Sequence, residues 1–337
     1  MADEILKLKE LISSYVNEEN VLPPDVPRIH EQCQKVATKA RITLIKQLNI
    51  CLLDNRRRFS TDFNNRRTCI HLAAERGDTD LIDTLIDGVT EEEKFNLLTM
   101  NPVDNPDNSV VEIAVRNANA SWVQKTLKQF SEERHLIEII GKALVTACQK
   151  NYPEVVKGLL DAIPTGKKLE VLTTYKMWSY YCLHLAAARG FSLVAKELLR
   201  CVSEEPGDDA VLSLLHYRTR SPNLDQTALH LACGASGEPH SHTVRSLLEG
   251  LSESSISNLL QQKDDNGNTA LHHAVKDGSP DLVCALGLDR LSLESEHLIR
   301  GIINNEGKSA YDVAYDKGNM WAVGYFQEIC SDAAEGE

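Results

Sequence analysis

Apolar and polar residues alternate along most of this chain with the period of an α-helix, in short bursts rather than long runs. Seven of these bursts carry leucine or valine three to four positions apart: Leu81/Leu85, Val123/Leu127, Val155/Leu159/Leu160, Val194/Leu198/Leu199, Val244/Leu247/Leu248, Leu282/Val283/Leu286 and Val323/Phe326. That spacing places the apolar side chains on one helix face. A short small-residue segment precedes each burst and predicts a partner helix. A further segment follows several of them: Thr90-Glu-Glu-Glu-Lys-Phe-Asn-Leu-Leu, Ser252-Glu-Ser-Ser-Ile-Ser-Asn-Leu-Leu and Ser292-Leu-Glu-Ser-Glu-His-Leu-Ile, with looser copies from Ser131, Thr165 and Asp208. Each offers a cap residue, often an acidic first turn, and then an apolar pair, which predicts a short third helix. The unit read from the pattern is helix, helix, short helix, hairpin.

The small-residue segment is a recurring phrase. It reads Thr68-Cys-Ile-His-Leu-Ala-Ala-Glu-Arg-Gly77, Tyr181-Cys-Leu-His-Leu-Ala-Ala-Ala-Arg-Gly190, Thr227-Ala-Leu-His-Leu-Ala-Cys233 and Thr269-Ala-Leu-His-His-Ala-Val-Lys-Asp-Gly278, with weaker copies from Ser109, Lys142 and Ser309. A Thr or Ser at a helix start can satisfy an orphan backbone N–H. The alanines let neighbouring helices approach closely, and Gly77, Gly190, Gly278 and Gly318 can end the first helix in a positive-φ conformation. The phrase starts lie 41, 33, 39, 46, 42 and 40 residues apart.

The phrase resembles the ankyrin repeat, Thr-Pro-Leu-His-x-Ala-Ala with a glycine nine residues after the threonine, over about residues 60–330. An ankyrin unit needs about 33 residues; the predicted third helix accounts for the surplus. The resemblance implies an all-α ankyrin-repeat solenoid of antiparallel helix pairs, short third helices and β-hairpin loops, with seven to eight repeats. It also implies that His71, His184, His230 and His272 are structural, tying a helix start to neighbouring backbone. Residues 61–330 form the expected array. Residues 1–28 are expected to be an amphipathic helix and a Pro-rich break, residues 29–60 a helical cap or divergent repeat, and residues 331–337 an acidic tail. Extended units of this kind also look like the ankyrin proteins that some intracellular bacteria deliver into host cells, which makes a host-directed effector a narrower reading.

Composition narrows the class. Apolar residues are 42% and charged residues 25% of 337, as in a globular chain, and the formal charge is −13. That balance argues against a nucleic-acid binder or a coat for anionic membranes. No apolar run approaches the ~18–20 residues of a membrane span, and the start lacks a basic segment followed by an apolar one, so a signal peptide is not expected. Nine scattered cysteines without a CxxC pair suggest reduced, buried thiols in a cytoplasmic compartment. Residues 30–70 hold nine Lys/Arg and three Asp/Glu, a local +6 against −19 for the rest.

Catalytic patterns fail on their own spacing. Gly166-Lys167 lacks the first glycine and following hydroxyl of a phosphate loop. Gly234-Ala-Ser236-Gly237 is one residue short of a nucleophile elbow. Asp264-Asp-Asn-Gly-Asn268 has Val275 where a calcium loop needs glutamate, and suits a hairpin turn instead. Glu238-Pro-His240-Ser-His242 reads as a solvated loop insertion. No cofactor and no metal are expected.

The expected function is a non-enzymatic protein-interaction scaffold, acting as a monomer on a protein partner, with no nucleic acid and no membrane. The alternatives are a ubiquitin-ligase adaptor, because Leu22-Pro-Pro-Asp-Val-Pro-Arg-Ile29 is similar to the opening of an F-box, and a cysteine or serine hydrolase embedded in the repeats. Pro27 and the polar stretch 31–35 depart from the F-box pattern. In the ankyrin family the partner-facing positions lie just before the Thr and just before the Gly. Carried over, the hairpin-tip positions include Asn65, Arg67, Met177, Trp178, Tyr180, Leu224, Gln226, Asn266, Asn268, Glu306 and Lys308. The helix positions include Glu75, Arg76, Gln149, Lys150, Arg189, Lys276, Asp277, Asp316 and Lys317. Arg67, Arg76, Lys150, Met177, Trp178, Tyr180, Arg189, Asn266, Asn268, Lys276 and Asp277 are the expected partner contacts, with the aromatics as anchors.

Overall fold

The computed structural model describes residues 6–8, 10–11, 49–51, 66–99, 109–117, 119–177, 180–204, 210–219, 225–235, 237–276 and 280–334. The chain divides into two compact units, Met1–Thr146 and Ala147–Glu337.

In the first unit, residues 6–8 and 10–11 are helical, as the amphipathic pattern predicts, and Leu8 is buried. Strands β1 (Asn49–Cys51) and β2 (Arg66–Thr68) pair antiparallel with Ile50 opposite Arg67. Part of the stretch expected to be a helical cap or divergent repeat, residues 29–60, is therefore strand, at 49–51: β2, which leads into the first phrase, takes it as its hydrogen-bonding partner. The rest of that stretch, the F-box-like segment and Asn65 lie outside the described residues. Helices α1 (Cys69–Arg76) and α2 (Thr79–Ile86) form the first pair, with α3 (Glu91–Thr99) as its third helix. α4 (Val110–Arg116) and α5 (Ala120–Leu127) form the second pair. α1 packs on α4, and α3 also rests on α4. Ile70, Ala73 and Ala74 from α1, and Val110, Ile113 and Ala114 from α4, are buried, so the small residues of the phrase sit where the helices approach.

Helix α6 runs unbroken from Glu133 to Lys150. The pattern predicts two helices here, a short one after Ser131 and a new first helix from Lys142. No proline separates them, and Gly141 is carried inside the helix rather than ending it. The third repeat thus has no hairpin, which explains why its phrase starts only 33 residues after the one before.

The second unit repeats the predicted plan. Its elements are α7 (Pro153–Asp161), α8 (Lys168–Thr174), the hairpin β3 (Lys176–Met177) and β4 (Tyr180–Tyr181), α9 (Cys182–Arg189), α10 (Ser192–Ser203), α11 (Ala210–His216), α12 (Ala228–Cys233), α13 (Glu238–Leu248), α14 (Glu253–Leu260), α15 (Ala270–Lys276), α16 (Pro280–Ala285), α17 (Leu293–Arg300), α18 (Ala310–Asp316) and α19 (Met320–Ala334). They stack in three rows. First helices α9, α12, α15 and α18 touch in order; so do second helices α7, α10, α13, α16 and α19, and third helices α8, α11, α14 and α17. Val194, Leu198, Val244, Leu247, Leu282 and Val283, from the predicted apolar faces, are buried between the rows. The Glu238-Pro-His-Ser-His segment is the first turn of α13, not a loop. Pro239 stands where a helix has no use for its missing N–H, and this is why a proline-bearing segment starts the helix.

Candidate partner-binding surface

The histidine phrase shows how one repeat is tied to the next. Thr227 caps α12, and its N–H and hydroxyl both donate to Nδ1 of His230, at 3.3 and 2.7 Å. With Nδ1 accepting, the proton of the neutral ring sits on Nε2, which donates to the carbonyls of Gln262 and Asn268 at 3.0 and 3.2 Å, in the hairpin of the following repeat. His272 does the same, accepting from Thr269 and donating to Lys308 O at 3.1 Å. His184 accepts from Tyr181 N–H and donates to Tyr217 O at 3.0 Å. Burial pushes His184 and His230 down to about 4, against the partial opposition of these carbonyl bonds, so both rings are neutral at pH 7. In two of the three weaker copies an acid takes the histidine's place. Glu112 boxes Ser109, and Asp312 boxes Ser309, within their own phrases. The repeat after Ser109 is the one without a hairpin.

The hairpins are in turn laddered to each other. Asp264 Oδ1 accepts from the N–H groups of Asn266 and Asn268, and Asn304 Oδ1 accepts from those of Glu306 and Lys308, all at 2.9–3.0 Å. Asp264 is thus a turn-former, as the failed calcium spacing indicates. Asn304 Nδ2 donates to Asn268 Oδ1, and Asn305 N–H donates to Asn266 O. Gly267, at φ 73°, lies so close to the next hairpin that a Cβ would stand 2.5 Å from Asn305 Oδ1.

Between these hairpins and the C-terminal ends of α15 and α18 lies a groove of about 610 Å³. Asn266, Asn268 and Lys276 line it from one repeat, and Asn304, Lys308 and Lys317 from the next. Asn268, Asn266 and Lys276 are three of the expected partner contacts, and the structure brings them together with Glu306, Lys308, Asp316 and Lys317, all named as tip or helix positions. Lys308 Nζ bridges Glu306 (2.9 Å) and Asp316 (3.1 Å), which raises the lysine's pKa and lowers that of Glu306. Asn305 and the half-buried Val313 complete the lining and were not singled out from sequence, because neither occupies a tip position of the repeat.

The other expected contacts are placed apart from this groove. Arg67 lies in β2, and Arg76 ends α1, in the first unit. Lys150 ends α6 and Arg189 ends α9; both are exposed. Met177 and Tyr180 face each other across the β3–β4 hairpin, and Tyr180 is half-buried. Trp178 and Asp277 lie outside the described residues. Tyr181 is not a surface anchor: it is 3% exposed and packs edge-on against Tyr217 at 4.8 Å.

Two further clusters bear on chemistry. Glu91, Glu132 and His135 bring ligand-type atoms within 4.8 Å of one another. Glu91 already accepts N–H bonds from Ser131 and Glu132 at Oε1 and the Ser131 hydroxyl at Oε2, which lower its pKa, so its role is to cap the start of α6 from the repeat before. His135 stacks on Phe95 at 4.2 Å. Cys148, Cys182, Cys201 and Cys233 are buried free thiols, and Cys284 is an exposed one. Burial drives the Cys148 and Cys233 thiols far above the usual range, away from thiolate chemistry.

Two ankyrin-repeat family models match the chain, a three-copy array at residues 183–296 and a single repeat at residues 65–91. Both matched segments are thus ankyrin repeats. The solved human ASB11 ankyrin repeat domain is similar at 21% identity with a TM-score of 0.48, covering 74% of this chain and 92% of that one. No curated protein matches. Among the described residues no helix is long and apolar enough to cross a membrane.

Proposed function

We propose that this chain is a non-catalytic scaffold that holds a protein partner, as a monomer in the cytoplasm, on the surface formed by its hairpin tips and first-helix ends. Ankyrin repeats are interaction domains, and this supports the general reading. The single observation that carries the particular one is the groove: tip and helix positions from two repeats converge on one open channel, with their own turns locked by the Asp264 and Asn304 bonds. A surface rigid before binding loses little entropy on docking. The burial that raises the Cys148 and Cys233 thiols speaks against those two as hydrolase nucleophiles, and buried thiols without disulfides suit a reducing compartment. The roughly 40-residue repeat supports the narrower reading of a host-directed effector.

The test is affinity capture with wild type, with Asn266→Trp, which fills the groove from an exposed rim position, and with Tyr180→Ala in the β3–β4 hairpin. The groove reading expects Asn266→Trp to lose specific partners while its thermal midpoint stays unchanged. Tyr180→Ala losing the same partners would extend the surface to the aromatic hairpin. Retention of every partner by Asn266→Trp rejects the groove.

A further inference from the structure

The groove's hydrogen-bonding capacity is lopsided. Its acceptors are partly engaged: Glu306 and Asp316 each give one carboxylate oxygen to Lys308, Asn304 Oδ1 takes two backbone N–H groups, and Asn268 Oδ1 takes the Asn304 amide. Two of its donors are not. Lys276 and Lys317 are exposed, and among the described residues neither ammonium makes a hydrogen bond or ion pair. Lys317 sits near enough to Glu306 to help hold that carboxyl low, yet Glu306 is bonded to Lys308. Lys276 ends α15 and Lys317 follows directly on α18, so the two occupy neighbouring places on helices that pack side by side. The position recurs in the same unit at Lys150 and Arg189, which end α6 and α9. These cations stand on an acidic chain, formal charge −13.

We infer that the groove takes an extended acidic peptide segment, whose carboxylates meet Lys276 and Lys317. This rests on the scaffold reading and adds to it the chemistry of the partner. Adjacent packed helices lie about 8–10 Å apart. Side chains two apart on one face of an extended chain are about 7 Å apart, a difference the long lysine stems absorb. The lysines also complement the negative ends of their helices. That accounts for a cation at a helix end, but not for two unpaired ones flanking a groove whose other charged side chains, Lys308 against Glu306 and Asp316, leave a single negative charge. An acidic segment gains two ion pairs there. A basic segment meets unpaired cations and carboxylates already bonded.

Fluorescence anisotropy tests this on the full chain. The probe is a labelled peptide of about twelve residues, alternating glutamate and serine, long enough at ~3.3 Å per residue to cross both repeats; a glutamine–serine peptide and a lysine–serine peptide are the comparisons. The glutamate probe is expected to bind at least about fivefold more tightly than the glutamine one, and more weakly as salt rises. Lys276→Glu/Lys317→Glu is expected to lose the glutamate probe and gain the lysine probe. Equal binding of the glutamate and glutamine probes, no binding of either, or unchanged glutamate binding by the double variant would each overturn the inference. Should the double variant be unstable, the probe comparison and the salt series on wild type decide alone. Capture of a partner that Asn266→Trp loses, together with equal glutamate and glutamine binding, would reject the acidic ligand and leave the scaffold standing.

Discussion

His184 and His230 each fill two jobs with one neutral ring, and the neutrality carries a pH dependence. Burial holds both near 4, below the ordinary 6.5. A group whose folded pKa is depressed in this way binds more protons when unfolded, wherever the pH lies between the two values. Its stabilisation is present above the unfolded value and is lost as pH falls from about 6.5 towards 4. The shift is worth roughly 3 kcal/mol per ring at most. The urea midpoint followed by circular dichroism is therefore expected to drop between about pH 7 and pH 5. His230→Gln is expected to be less stable at pH 7 but to show a shallower slope over that range; a slope as steep as wild type would contradict the assignment. The Thr-x-x-His spacing made the cap legible from sequence. The carbonyls that Nε2 reaches, 32 to 38 residues downstream, were not, since no local spacing encodes a partner in the next repeat.

At the scale of elements, helical periodicity carried the reading well where a break residue separated the helices. The segments from Thr90, Ser252 and Ser292 became α3, α14 and α17, with Thr90, Ser252 and Ser292 accepting N–H bonds as caps. It failed at α6, where two apolar patterns in phase, without a proline between them, continue as one helix. The acidic first turns proved to do more than offset a helix dipole. Glu91 caps α6, and Glu253 Oε1 accepts the Ser292 N–H at 2.7 Å, so each carboxylate starts the third helix of the repeat after its own. Glu91→Ala is expected to speed hydrogen exchange at the amides of Ser131 and Glu132 while leaving α2 protected. Exchange there at the wild-type rate would show the cap to be dispensable.

Across the second unit, the described helices of each row pack on those of the adjacent repeats, so damage should stay local. Gly267 and Gly307 hold equivalent turns at φ 73°, but only Gly267 has another hairpin against it; around Gly307 a Cβ would meet nothing within 4 Å. Gly307→Ala is expected to lower stability by about 1 kcal/mol, the strain of a left-handed turn. Gly267→Ala is expected to lower it at least twice as far, because Asn305 must also move. Urea unfolding measures both, and equal losses would mean the hairpins do not depend on one another. The groove was half legible: Asn266, Asn268 and Lys276 follow from repeat position, whereas the pairing of Lys308 with Glu306 and Asp316, which leaves Lys276 and Lys317 unpaired, needs three-dimensional contacts.

The histidine that reaches forward gives the stack a polarity. As the chain leaves the ribosome, the outer nitrogen of His184, and then of His230 and His272, has no carbonyl to meet until the next hairpin has been synthesised. Each of these three nascent repeats thus waits on its successor for its last bond. The phrase from Ser309, whose Asp312 closes on its own cap, asks nothing of residues still to come. A gene duplication that adds a histidine-bearing unit ahead of that phrase would extend the stack without leaving a donor stranded.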